Sequence, residues 1–186
     1  MSETKSLQSV PTYQSIRYRY NEFIAESSLC QIMQAAEWYS EAQAFALQLS
    51  TRYNVTLDTA AGVIAAFSPR TKWAQNVLNA ELFLMGENVP ALGNNIRMAL
   101  AVQAQESISA LKGRKTNSFA HNIAGDMDKV TIDVWMIRAA GYDRLDANKG
   151  MYNLMESVVI DLAKEYKIKP AQAQALIWVR IRGSHD

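Results

Sequence analysis

Residues 56–67 read TLDTAAGVIAAF, and beyond the first turn almost nothing in them is polar. A helix that is apolar on every side has no face to give to water, so the rest of the chain must wrap around it. Thr56 is placed to cap its start, and Ser68-Pro69 ends it. Elsewhere apolar residues recur at spacings of three and four, and no alternating run of useful length appears. The one β-rich run, VTIDVW (130–135), is short enough to be the start of a helix. Only 8 glycines and 4 prolines interrupt the 186 residues. The expected architecture is all-α, a bundle of eight or nine helices.

The remaining helices can be placed in outline. One spans Tyr13–Ala25. A longer one is capped by Ser27 or Ser28, runs to Tyr53 and closes at Asn54, with Leu29, Ile32, Met33, Ala36, Phe45, Leu47 and Leu49 as its apolar residues. Cys30 falls on that stripe and is expected to be a buried structural thiol. Trp73, Val77, Ala80 and Leu84 mark the next helix, with Gly86 as its stop. Residues 94–111 are helical again. GYDRLDANKG (141–150) is an exposed link, and Pro170 opens the last helix at the position where proline is tolerated. Residues 1–12 read as a flexible tail and 13–186 as one domain.

The net charge of +1 gives no global field, so any nucleic-acid affinity must come from local patches. One cysteine excludes an internal disulfide and any cysteine-only zinc or iron–sulfur site within the chain. His121 has only His185 for company, so neither a metal nor another cofactor is expected. The N-terminus has no apolar signal core, and no apolar run approaches the roughly 20 residues needed to span a bilayer. A cytoplasmic location without membrane contact is the expectation.

The chemistry concentrates in LKGRKTNSFAHNIAGDMDKVTIDVWMIRAAG, residues 111–141. A helix ending near Leu111, a sharp turn at Gly113 and a restart near Thr116 outline a helix–hairpin–helix. The mouth of the second helix attracts phosphate, and Lys112, Arg114 and Lys115 add charge there. The plain alternative is a solvated basic turn. Asp133 or Thr131 can cap the helix that buries Ile132, Trp135, Met136 and Ala139. An ordinary cap contributes on the order of 1 kcal/mol. Lys115 and Asp133 stand 133 − 115 = 18 residues apart. One short helix folded back brings both helix mouths to one cleft.

These residues resemble the helix–hairpin–helix DNA glycosylase superfamily, in particular its endonuclease-III-like branch. That branch carries Leu-Pro-Gly-x-Gly-x-Lys-Thr followed by Val-Asp-Thr-His-x-x-Arg. Here LKGRKT and TIDVWMIR stand in those places. The hairpin is two residues shorter, keeps one glycine of two, and has Trp135 where the branch has histidine. Over residues 55–182 the chain is similar to small, mostly phage-encoded proteins with proposed relatives in phage thymine hypermodification. The shared motifs are SPR…W…N, F…NI.GD…VT.D.W..R and Q.QA..WV.

The resemblance implies a glycosylase-like bundle with a central cleft, in host cytoplasm, that excises or modifies a base, including a hypermodified one. It makes Lys115 the Schiff-base lysine, Asp133 the catalytic aspartate and Arg138 the closing arginine. Lys112, Gly113, Arg114, Thr116, Ser68 and Arg70 become DNA contacts. Trp73, Asn76, Asn117, His121, Asn122, Trp135 and Arg138 become candidates for the base pocket, since a flipped base is stacked and read by its edges. Lys115 must then be neutral to attack, which burial and nearby cations favour. Arg180 and Arg182 point to different sides of one helix, so only one can join a basic face. Two rivals share the scaffold: a silent DNA-binding module, and an inhibitor of a host protein.

Overall fold

The structure, a computed structural model, describes residues 11–142 and 149–183. Among them there are nine α-helices and no strand. In chain order these are α1 Tyr13–Ala25, α2 Leu29–Tyr53, α3 Leu57–Phe67, α4 Trp73–Met85, α5 Gly93–Gln105, α6 Arg114–Ile123, α7 Val134–Ala139, α8 Lys149–Tyr166 and α9 Pro170–Arg182. The expected tail, apart from its last two residues, and most of the exposed link lie outside the described residues.

The apolar segment behaves as its composition demands. Every residue of α3 from Thr59 to Phe67 is buried, and α2, α4, α5 and α6 pack around it. Gly62 lets α5 approach closely: a Cβ there would lie 2.7 Å from Val102 Cγ1. A second group forms around α9, which packs on α1, α2, α7 and α8. Helix α2 belongs to both groups, and a single hydrophobic core runs through them.

The caps follow the sequence. Ser28 and Thr56 accept from the third amide of their helices, Asn54 and Gly86 close α2 and α4 in the left-handed region, and Pro170 is the first residue of α9. No helix among the described residues is long and apolar enough to cross a membrane.

Three expectations are corrected. The buried face of α2 is Ala35, Trp38, Tyr39, Ala42, Ala46 and Leu49, while Leu29, Ile32, Met33, Ala36 and Leu47 are exposed. Small alanines let neighbouring helices approach closely, and that packing fixes the rotation of α2. Cys30 is consequently exposed, on a first turn that buries nothing. The hairpin also differs. Helix α5 ends at Gln105, residues 108–110 form one 3-10 turn, and α6 starts at Arg114. Gly113 has φ −76°, ordinary extended backbone, so the turn does not require glycine.

Candidate functional site

A cavity of about 660 Å³ opens where the two helix groups meet. That size suits a small molecule or a single nucleotide. Its walls come from α2, the turn between α3 and α4, the first turn of α4, α6, the segment before and into α7, and α9. All 4 tryptophans of the chain line it: Trp38, Trp73, Trp135 and Trp178. Trp38 meets Trp73 edge to face at 5.0 Å between centroids and lies near-parallel to Trp178 at 5.4 Å. Such rings offer flat faces to a planar ligand.

Lys115 and Asp133 both line this cavity. Lys115 is the second residue of α6, and its Nζ donates to Ser68 Oγ at 3.1 Å and lies 5.6 Å from the Phe119 ring centroid. Burial holds its amine below the usual lysine range, opposed by the Asp133 carboxylate. Asp133 is the N-cap of α7. Its Oδ1 accepts from the amides of Trp135 (2.9 Å) and Met136 (3.0 Å), and its Oδ2 accepts from Trp178 Nε1 at 3.2 Å. The cap and the candidate catalytic carboxylate are therefore one group.

The segment before Asp133 is held from below. Asn122 donates to the carbonyls of Asp126 and Lys129 (each 2.9 Å) and accepts from Thr131 Oγ1 at 2.8 Å. The Tyr152 hydroxyl donates to the Val130 carbonyl (2.8 Å) and accepts from the Ile132 amide (3.2 Å). Burial raises the Tyr152 phenol and keeps it protonated.

Arg70, Lys72, Lys115 and Arg182 are the basic residues on the wall and Asp133 is the acidic one, a formal balance of 4 − 1 = +3. A ligand bearing negative charge is favoured. Arg182 stacks over Trp178 at 4.5 Å and Trp135 at 5.5 Å. Arg180, two residues earlier, turns away and pairs with Glu26 at 2.8 Å. As expected, only one of the two joins the basic face.

Of the residues singled out in the sequence, Lys115, Asp133, Ser68, Arg70, Trp73, Asn76 and Trp135 meet at the cavity. The others do not line it. Arg114 is held by Glu156 (2.7 Å) and Asn153 and lies 4.1 Å over the Tyr152 ring, so it braces the fold. Lys112 donates to the Ser109 carbonyl at 3.1 Å, and buried Thr116 donates to the Gly113 carbonyl at 2.9 Å. Asn117 ties the turn by donating to the carbonyls of Ile108 and Leu111. Asn122 is 0 % exposed and wholly occupied by the loop it staples. His121 lies in the last turn of α6, and exposed Arg138 covers Trp135 at 4.6 Å. Substituting Lys112→Glu is thus expected to leave ligand binding in the cavity within about twofold. Arg114→Ala is expected to cost about 1 kcal/mol of stability, from a partly exposed ion pair and a ring contact. Filter binding and urea unfolding check the two outcomes.

The sequence reading did not single out Trp38, Tyr39, Phe119, Gln174, Trp178 or Arg182 as site residues. The last helix carried a usable signal. Gln174, Trp178 and Arg182 are spaced by four and so share one helix face.

Over residues 3–185 the chain matches the profile of a family of unknown function, DUF7178. The chain belongs to this family. No curated protein and no solved structure matches it. The DUF7178 match spans every cavity residue, from Trp38 to Arg182.

Arg70 sits at the lip of the cavity with φ +60°, in a tight turn closed by the Thr71 amide onto the Ser68 carbonyl at 3.3 Å. That backbone region costs a non-glycine residue roughly 1 kcal/mol. Arg70→Gly is expected to raise stability by about that amount and to weaken ligand binding severalfold. Paired denaturation and binding measurements check the trade.

Proposed function

We propose that the cavity receives a base turned out of DNA, and that Lys115 and Asp133 act on its bond to the sugar, on a helix–hairpin–helix glycosylase-like scaffold. The observation that carries this is the meeting of Lys115 and Asp133 in one tryptophan-walled cavity, with the Lys115 amine lowered by burial. A lowered amine gives up its proton more readily than an ordinary lysine, and only the unprotonated amine is a nucleophile. The flat rings of Trp38, Trp73 and Trp178 suit stacking on a flipped base. Arg70, Lys72 and Arg182 are placed to hold the flanking phosphates.

In the reaction the Lys115 nitrogen attacks C1′ while the C–N bond to the base breaks. The base leaves with the bonding pair and takes up a proton. The Lys115 amine gives one proton to the departing base, and a second to O4′ as the C1′–O4′ bond breaks with its pair on that oxygen, which leaves a C1′=N imine and an opened sugar. Asp133 stabilises the positive charge that develops on the sugar.

One observation favours a second reading, a DNA-binding module without catalysis. Both oxygens of Asp133 already accept hydrogen bonds, so the residue has a full structural occupation as a cap. Incubation with host and phage DNA, followed by mass spectrometry of released bases, separates the two. Released base is expected; binding with no release from plain or modified DNA would leave the silent module standing.

A further inference from the structure

Asn76 is 2 % exposed, lines the cavity, and makes no side-chain hydrogen bond among the described residues. Its Oδ1 is fully buried and unpartnered. A buried carboxamide left this way costs about 1–3 kcal/mol and calls for a reason. Across the same cavity wall Gln174 is 4 % exposed, and its Oε1 accepts from the Tyr39 hydroxyl at 2.7 Å. Burial raises the Tyr39 phenol far above its ordinary value, so it keeps the proton it donates. With its oxygen turned to Tyr39, the Gln174 carboxamide presents its N–H₂ to a ligand.

We infer that Asn76 and Gln174 are the specificity-determining pair of this cavity, and that they select a ring carrying a carbonyl beside a ring N–H over one carrying an exocyclic amine. The inference rests on the entry of a base into the cavity, as proposed above. The Gln174 N–H₂ needs an acceptor, which a ring carbonyl supplies and an amino group does not. The unpartnered Asn76 Oδ1 needs a donor, which the ring N–H beside that carbonyl supplies and the unprotonated ring nitrogen beside an exocyclic amine does not. A ligand that does so removes the unpaired polar group of the free protein. The binding energy of the correct ring thus includes relief of a cost already present.

The test uses the four tryptophans as a reporter, since all of them line the cavity. Tryptophan quenching is titrated with dUMP and dIMP, which carry a ring carbonyl beside a ring N–H and no exocyclic amine, and with dCMP and dAMP, whose amine stands beside an unprotonated ring nitrogen; inorganic phosphate is the control. The wild-type protein is expected to bind the first pair at least tenfold more tightly. Gln174→Glu keeps an acceptor for Tyr39 and removes the donor, so it is expected to abolish or reverse the preference. Asn76→Leu is expected to lose the preference while raising the melting temperature, because it removes the unpaired amide. Quenching by none of the four nucleotides overturns base entry and the pair with it. Equal affinities for all four, or a preference unchanged in a folded Gln174→Glu protein, overturn the pair alone.

Discussion

In the presence of borohydride, the protein is expected to become covalently joined to the DNA from which it releases a base, and Lys115→Ala to lose that capture by at least about 100-fold. Much of the DNA affinity should survive, because Arg70, Lys72 and Arg182 remain. Asp133→Asn is expected to slow base release by a similar factor, about 100-fold or more. Asparagine keeps the side-chain oxygen that caps α7 and gives up only the acceptor for Trp178 Nε1, so the fold is retained. Release at full rate by folded Asp133→Asn would remove the residue from the chemistry. Release without capture would leave Lys115 as a phosphate contact.

The lowered Lys115 amine adds a pH signature with a definite sign. Capture should rise with pH and level off below the range in which an ordinary lysine titrates. In stability the unfolded chain holds its proton more tightly than the folded one. Folding therefore strengthens as pH climbs from the lowered value to the ordinary one, and the contribution is lost again as pH falls through the lowered value. Lys115→Met should raise the melting temperature most on the acid side and least at high pH. A gain independent of pH would show that the amine is not perturbed.

Asn122→Ala is expected to cost about 3 kcal/mol, because it strips two carbonyls and a hydroxyl of their partner at a site with no solvent access. For a chain of this size that is a fall of roughly 6–12 °C in melting temperature. Asn122→Asp should be no better, since it sets a carboxylate against the carbonyls of Asp126 and Lys129. Thr131 and Ile132 lie on the cavity wall just beyond the staple, so base release should fall along with stability. A shift under about 1 °C, followed by thermal unfolding, would mean that the loop holds itself.

Parts of this arrangement were legible in the sequence. Helix α3 announced itself because a segment apolar all round has only one place to go. Lys115 and Asp133 could be brought together on paper because Lys115 stands at the start of the ten-residue helix α6 and Asp133 at the mouth of the next helix. Helix α2 misled because Leu29, Ile32 and Met33 outweigh Ala35, Ala42 and Ala46 in hydrophobicity, while the alanines give the closer packing. Asn117 and Asn122 looked like readers of a base because they are polar and close to the motif. They serve instead to satisfy carbonyls that no helix ladder reaches. Trp38 and Trp178 lie 140 residues apart, and spacing cannot reveal a stacked pair across that interval.

The division of labour along the chain bears on how such a protein can change. Lys115 and Asp133 come from one continuous stretch, stapled internally by Asn122. The surfaces that would meet a ligand's ring and its edge, at Trp38, Asn76, Gln174 and Trp178, belong to α2, α4 and α9. Substitutions there leave the stretch from 111 to 141 intact. Descendants of this chain can therefore drift from one ligand to another by altering the walls, with the Lys115–Asp133 pair inherited unchanged.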